Sequence, residues 1–375
     1  MGRFARRDPA HRYCRLPAAH AIGFPHTPDH YKNLNMPETS PATIAIFGAG
    51  SIGAYVGAAL LAGGAEVLMI ARARSCERFA RGGIAISDLE GRREHIDAAR
   101  IACSEDPAAL RGAGLILVCV KSADTAAAAQ ALAAHARRDA LVISLQNGIG
   151  NADTLRSALP GMTVLAGMVP FNVVQTPDGR YHRGTEGRLM VEASDALARW
   201  LGAFEQAGLA LVQRADFAAV QWGKLLLNLN NPVNALSGLP LKSQLSQRNY
   251  RRCLALLMEE ALRALAASGI APAQIGGVAP NRLPFMLRLP DWIYRRIASA
   301  SLRIDPQARS SMWEDLQAGR RSEIDYLNGA VVKLAQQAGL DAPANRRIVA
   351  LVHAAQQRKA APMTGDELLA ALRAP

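Results

Sequence analysis

No stretch of about 18 residues is apolar without a charge or a helix breaker, so the chain offers no candidate membrane span. The five cysteines (Cys14, Cys76, Cys103, Cys119 and Cys253) include no C-x-x-C pair. That spacing offers neither a disulfide framework nor a zinc site, and it fits a reducing cytosol. Cys119 falls in the apolar run Leu115 to Val120 and is expected to be a buried strand residue. Aromatic residues make up only 5% of the chain, and neither basic cluster, residues 1–35 or Arg282 to Arg309, carries a stacking platform or a DNA-reading motif. The net charge of +12 therefore reads as a surface that attracts anionic substrates and cofactor phosphates, not nucleic acid. Half of the 375 residues are hydrophobic, enough for two domains with cores of their own.

What is present is most distinctive between Thr43 and Arg72. Thr43-Ile44-Ala45-Ile46-Phe47 reads as a buried parallel strand, Gly48-Ala49-Gly50-Ser51-Ile52-Gly53 follows at once, Ile52 to Ala62 reads as a helix, and Glu66 to Ile70 as a second strand. A G-x-G-x-x-G placed strand–loop–helix–strand is a dinucleotide-binding fingerprint. Gly48 allows the tight turn, Gly50 lets the backbone approach a pyrophosphate, and Gly53 lets the helix pack closely on the strand, with the phosphates at the helix N-terminus. A NAD site usually places an acid at the tip of the second strand, roughly 20 residues beyond the glycines. Here the tip is Ile70-Ala71-Arg72-Ala73-Arg74, whose guanidinium groups suit a 2′-phosphate, so NADP is the expected dinucleotide.

Residues 1–42 have no amphipathic period and are expected to be a disordered extension, with a natural start near Met36; an Arg-rich transit peptide is the alternative. Strand and helix then alternate: strands at Leu115 to Val120, Ala140 to Leu145 and Thr163 to Val169, a helix at Ala123 to Arg137, and a hairpin between Gly179 and Val191. This pattern predicts an α/β fold in which a Rossmann-like dinucleotide-binding domain (43–213) precedes an all-α domain (214–358) and a short tail (359–375). Helices are expected at Phe217 to Asn231, Asn249 to Ser268, Ser311 to Gly319, Ser322 to Gly339 and Gly365 to Leu372, with a helical insertion at 280–310. Substrate would lie in the cleft between the domains.

Two polar residues follow strand ends, where ligands bind in open α/β sheets: Lys121 and Asn147. Lys121 suits a cofactor phosphate or ribose, and Asn147 a ribose or carboxamide. In the helical domain, Trp222-Gly223-Lys224-Leu225-Leu226-Leu227-Asn228-Leu229-Asn230-Asn231-Pro232 sets Lys224, Asn228 and Asn231 at i, i+4, i+7 on one face of an apolar helix. A lysine there is costly unless it meets a ligand, and desolvation lowers its pKa toward that of a proton donor at neutral pH. Further on, Ser322 and Asp325 have the S-x-x-[DE] form of a capping box. Glu323 is not needed for that cap and is left to face the cleft.

These residues carry a family resemblance. GAGSIG, the Val-Lys-Ser at Lys121, the Gln-Asn-Gly at Asn147, the Trp-Gly-Lys-Leu at Lys224, and Arg-Ser-Ser-Met followed by Ser-Glu-Ile-Asp-Tyr-Leu-Asn-Gly make the chain resemble the 2-dehydropantoate 2-reductases (ketopantoate reductases) from Thr43 to Gln356. The resemblance implies NADPH-dependent reduction of ketopantoate to pantoate, on the way to pantothenate and coenzyme A, by a metal-free cytoplasmic enzyme that is a monomer or homodimer. It implies Lys224 as the proton donor and Glu323 as the acid at the junction of substrate and cofactor. Asn147, Asn228, Asn231 and Ser311 become substrate contacts. Gly48, Ala49, Gly50, Ser51, Ile52, Gly53, Arg72, Lys121 and Asn147 become cofactor contacts, shared with Glu323. Three departures bear on the substrate: Asn231 precedes Pro232 one residue early, so Asn230 or Asn231 fills the family's second pocket position; Gly238-Leu239-Pro240-Leu241 is apolar; and 280–310 is long. The alternatives are a paralogue reducing another 2-oxo acid or an imine-forming substrate, and a non-catalytic NADP sensor.

Overall fold

Parallel strands covered on both faces must be apolar along their whole length, and Ile44–Phe47, Val67–Ile70, Leu115–Val118 and Leu141–Ser144 meet that demand with almost complete burial. The computed structural model describes residues 42–298, 307–358 and 361–374. In chain order the strands are β1 (Ile44–Phe47), β2 (Val67–Ile70), β3 (Ile84–Ser87), β4 (Arg93–Ile96), β5 (Ala102–Ser104), β6 (Leu115–Val118), β7 (Leu141–Ser144), β8 (Thr163–Met168), β9 (Val173–Gln175), β10 (Tyr181–Arg183), β11 (Met190–Glu192) and β12 (Val212–Arg214). Eight of them form one sheet in the order β12-β11-β8-β7-β6-β1-β2-β5, parallel from β5 through β8. The chain leaves β1 toward β2 on one side and later returns to place β6 on the other. The crevice beyond the carboxyl ends of β1 and β6 is thus the topological switch point where such sheets bind ligands.

A second sheet, β4-β3-β10-β9, corrects the hairpin expected between Gly179 and Val191. Thr176-Pro177-Asp178-Gly179 closes the turn one strand earlier: the Gly179 amide donates to Thr176 O and the Thr176 amide to Arg180 O, both at 2.8 Å. β9 and β10 therefore pair with each other, and β11 returns to the large sheet antiparallel to β8.

After Arg214 the described chain is helical, as expected: an N-terminal α/β domain with a mainly parallel sheet is followed by a helical domain. The helix Phe217–Asn228 straddles the two. Phe217 and Val220 pack with Ala166 and Met168 of the sheet, whereas Trp222, Leu225 and Leu226 belong to the helical core. The expected helix to Asn231 stops earlier, and a new one, Asn230–Ser237, begins after Leu229. An unbroken helix would require Pro232 to donate to Asn228 O, which proline cannot do; restarting puts Pro232 in a first turn, where no donor is needed.

Other expectations also change. Cys76 and Cys103, expected to be free thiols, are joined by a disulfide with Cα atoms 5.5 Å apart. Spacing along the chain conceals this pairing, which arises because β5 returns beside β2 in register Met69 to Cys103. Cys119 lies just past β6 and is only half-buried, although desolvation pushes its thiol up to about 12. The capping box at Ser322 is not formed: Ser322 donates to Gln356 at 3.1 Å, Asp325 pairs with His353 at 2.9 Å, and the helix Ile324–Gln337 starts at Glu323 without a side-chain cap. Within 280–310, helices Leu283–Arg288 and Asp291–Ala298 are held by the fully buried Arg251, which donates to Leu245, Leu287 and Leu289 carbonyls and to Asp291 and stacks on Tyr294 at 4.1 Å. Residues 299–306 and the expected disordered extension up to residue 41 lie outside the described residues. No helix among the described residues is long and apolar enough to cross a membrane.

Candidate active site

The glycine loop sits at the mouth of the switch point. Gly48 has φ +104°, a backbone conformation that favours glycine, and a Cβ there would lie 2.7 Å from Val120 N, so the β1 and β6 loops touch because the residue has no side chain. At Gly53 a Cβ would lie 2.2 Å from Gly48 O, which shows how closely the helix Ser51–Ala62 presses on the loop. Among the described residues, nothing stands within 4 Å of the corresponding position on Gly50. No side chain caps this helix and no acid occupies its first turn, leaving the amides of Ser51 and Ile52 and the positive end of the helix toward that opening. This cradle, with Ala49 buried behind it, fits a dinucleotide pyrophosphate. At the end of β2, Arg72 extends into solvent with 90% of its side chain exposed, and it pairs with Asp124 at 3.7 Å. The position fits the adenosine-ribose end of the same cofactor.

On the other side, Lys224 and Asn228, one turn apart, share a narrow cleft with Gln146, Asn147, Gln221 and Leu225. Lys224 donates to the Pro170 carbonyl at 3.3 Å. It retains partial exposure to the cleft, but burial pushes its pKa down to about 8. No carboxylate accounts for the shift; desolvation is its cause.

A second polar cluster joins the domains beside the cleft. Glu323 Oε1 accepts from the Ser122 amide at 3.2 Å and the Ser122 hydroxyl at 3.0 Å. That hydroxyl also lies 2.9 Å from Asn147 O, and Asn151 Nδ2 donates to it at 3.1 Å, so Glu323 is linked to the Asn147 loop through one serine. Lys121 is ion-paired with Asp315, which is only 3% exposed and also accepts from Arg320 Nε at 2.9 Å. Next to it the Glu314 carboxyl is pushed up from its ordinary range by burial, against the lowering effect of Arg320.

Asn147, Lys224 and Asn228 are thus brought together, with Lys121 and Glu323 alongside. Two expected substrate contacts are placed differently. Asn231 belongs to the next helix and is not among the residues lining the Lys224 cleft; its carbonyl accepts from Ser310 at 3.2 Å. Ser310, not Ser311, caps the helix Ser311–Gln317, and Ser311 is exposed at its first position. Asn230 is committed to a reciprocal pair of 3.1 Å bonds with buried Gln244, which removes it as the pocket asparagine. Sequence reasoning singled out neither Ser122 nor Asp315. The Val-Lys-Ser and Trp-Glu-Asp runs contained them, but only the fold makes them face each other's domains.

A Rossmann-type cofactor cradle facing a helix that presents a desolvated lysine defines a two-domain dinucleotide-dependent oxidoreductase. Models of the family described as ketopantoate reductase PanE/ApbA match residues 44–196, and its C-terminal counterpart matches residues 216–356. The chain belongs to the ketopantoate reductase family, whose members are oxidoreductases acting on a CH–OH group. A 2-dehydropantoate 2-reductase of Halobacterium salinarum is 28% identical, covering 84% of this chain and 99% of its own. A solved ketopantoate reductase of Ralstonia eutropha is 32% identical, covers 84% of this chain and 99% of its own, and superposes with a TM-score of 0.72. A D-mandelate dehydrogenase solved with NADH and anilino(oxo)acetate shares the fold at 19% identity, with a TM-score of 0.67 and coverage of 84% of this chain and 98% of its own.

Proposed function

We propose that this enzyme reduces 2-dehydropantoate to pantoate with NADPH, serving pantothenate and coenzyme A synthesis in the cytoplasm. The observation that carries this reading is the Lys224 ammonium, desolvated in a cleft that it shares with Asn147 and Asn228. Bound NADPH supplies a hydride. Lys224 stabilises the charge developing on the substrate's keto oxygen and donates a proton to it. Asn228 and Asn147 orient the substrate, and Glu323 holds the Asn147 loop through Ser122 at the junction with the nicotinamide. Arg72 is the 2′-phosphate contact, supported by its exposure at the tip of β2 and by the lack of an acid there. Lys121 serves the cofactor's phosphate or ribose. Ser311, at the exposed start of its helix, completes the substrate side.

A second reading, a reductase of another branched 2-oxo acid, draws support from Asn231, which belongs to the next helix and is not among the residues lining the Lys224 cleft. A panel of 2-oxo acids assayed with NADPH and NADH separates the two. With ketopantoate, kcat/KM is expected to favour NADPH by about 100-fold, as one charge-assisted phosphate contact allows, and Arg72→Ala should remove most of that preference. Equal rates with both cofactors would sink the Arg72 assignment. Turnover confined to other 2-oxo acids would favour the second reading, and intact cofactor binding without any turnover a sensor.

A further inference from the structure

The helix Ala73–Gly82, whose N-terminus carries Arg72 and Arg74, is weakly anchored. Phe79 is its only buried side chain. Its middle is pinned by Arg78, which bonds the Tyr181 hydroxyl and Gln175, the latter at 3.3 Å, and lies over the Phe79 and Tyr181 rings. Its first turn is held otherwise: Ser75 and Cys76 amides donate to Arg72 O at 2.8 and 3.2 Å, and the Cys76–Cys103 disulfide ties that turn to β5, the edge strand of the large sheet. The Arg72–Asp124 pair is solvent-screened and fixes little. Both cysteines are half-buried and so within reach of small thiols and disulfides. In a reducing compartment, disulfides are typically transient and redox-sensing.

We propose that Cys76 and Cys103 form a thiol–disulfide redox site that sets the affinity of the adjoining 2′-phosphate subsite for NADPH, an inference that rests on the assignment of Arg72 to that phosphate. Closing the site forms one S–S bond and removes two electrons and two protons from the thiols; a small disulfide oxidant takes them up and is cleaved to two thiols, and a dithiol reverses the exchange. The closed cystine pre-organises Arg72 and the adjoining amides. The open form must order that turn each time it binds, at a cost in affinity. NADH has no 2′-phosphate and does not use the turn.

The test titrates full-length protein, oxidised with glutathione disulfide or reduced with a phosphine, with NADPH and with NADH, following nicotinamide fluorescence and reading the cysteine state by mass spectrometry. The NADPH dissociation constant is expected to be about tenfold higher in the reduced protein, with that for NADH moving by less than about twofold. A Cys76→Ser/Cys103→Ser variant should match the reduced protein after either treatment; should it fail to fold, chemical reduction of the natural protein carries the test alone. Equal shifts for both cofactors, no shift with the cystine broken, or failure of the pair to oxidise would each overturn the proposal. Arg72→Ala separates the two levels. If it weakens NADPH binding while reduction does nothing, the redox site alone fails; if it leaves NADPH binding unchanged, the cofactor assignment fails and the redox proposal with it.

Discussion

Lys224→Ala is expected to lower kcat for 2-oxo acid reduction by at least about 10³-fold while leaving NADPH binding within about twofold, since proton donation and charge stabilisation are both lost. The side chain lies in the cleft with Asn147 and Asn228, away from the glycine loop and from Arg72, so cofactor titration is a separate readout. Loss of both turnover and cofactor binding would make the lysine structural. The substitution should also leave the thermal midpoint unchanged or raised, because the fold bears the cost of desolvating this ammonium and gains little from its single bond to Pro170 O.

The pH dependence has a definite sign. Folding lowers the Lys224 pKa from 10.5 to about 8. With Lys224 as the proposed proton donor, reduction requires its protonated form, so kcat/KM for the 2-oxo acid should be level below that value and fall as pH rises through it; the reverse oxidation, which needs a base, should rise over the same range. For stability, the folded lysine is neutral and the unfolded one charged between about 8 and 10.5, so unfolding takes up a proton there and the fold gains stability as pH rises. Below about 8 both forms hold the proton and the full penalty remains. A reduction profile that stays level well above that pH would remove Lys224 from the proton-donor role.

The legible parts of the molecule were those with a local signature. β1, the helix Ser51–Ala62 and β2 follow from an apolar run, a glycine loop and a second apolar run, and Lys224 with Asn228 follows from spacing on one helix face. Between Arg72 and Leu115 the signal fades. Three of the four residues of Arg93–Ile96 are charged or polar on an exposed edge, and Ala102–Ser104 is only three residues long, so neither the second sheet nor the Cys76–Cys103 pairing could be read. The helix from Phe217 is expected to run too far for another reason: helical spacing assumes an unbroken helix, and Pro232 breaks it. The long-range pairs, Lys121 with Asp315 and Ser122 with Glu323, are separated by 194 and 201 residues and have no sequence period at all.

The first of those pairs carries the other large expected effect. Asp315→Asn should lower the free energy of unfolding by about 2 kcal/mol and raise the KM for NADPH about tenfold, with a smaller change in kcat. Removing one partner of a fully buried ion pair costs roughly 3–5 kcal/mol. Here the carboxylate is buried, but the Lys121 and Arg320 side chains keep 42% and 54% exposure and can recover solvent, so the lower figure applies. The effect on KM has a separate origin. Lys121 follows β6 at the switch point, and Asp315 holds it from the opposing domain, so, on the proposed role of Lys121 at the cofactor, freeing the lysine loosens that contact. Asp315 is in this respect a positioning residue, and Lys121→Met is its companion test. If both variants raise the KM for NADPH to a similar extent and the double variant adds nothing, the two residues act as one unit. If Asp315→Asn loses stability with no change in that KM, the pair is a structural tie between domains, and Lys121 finds its place by the cofactor alone.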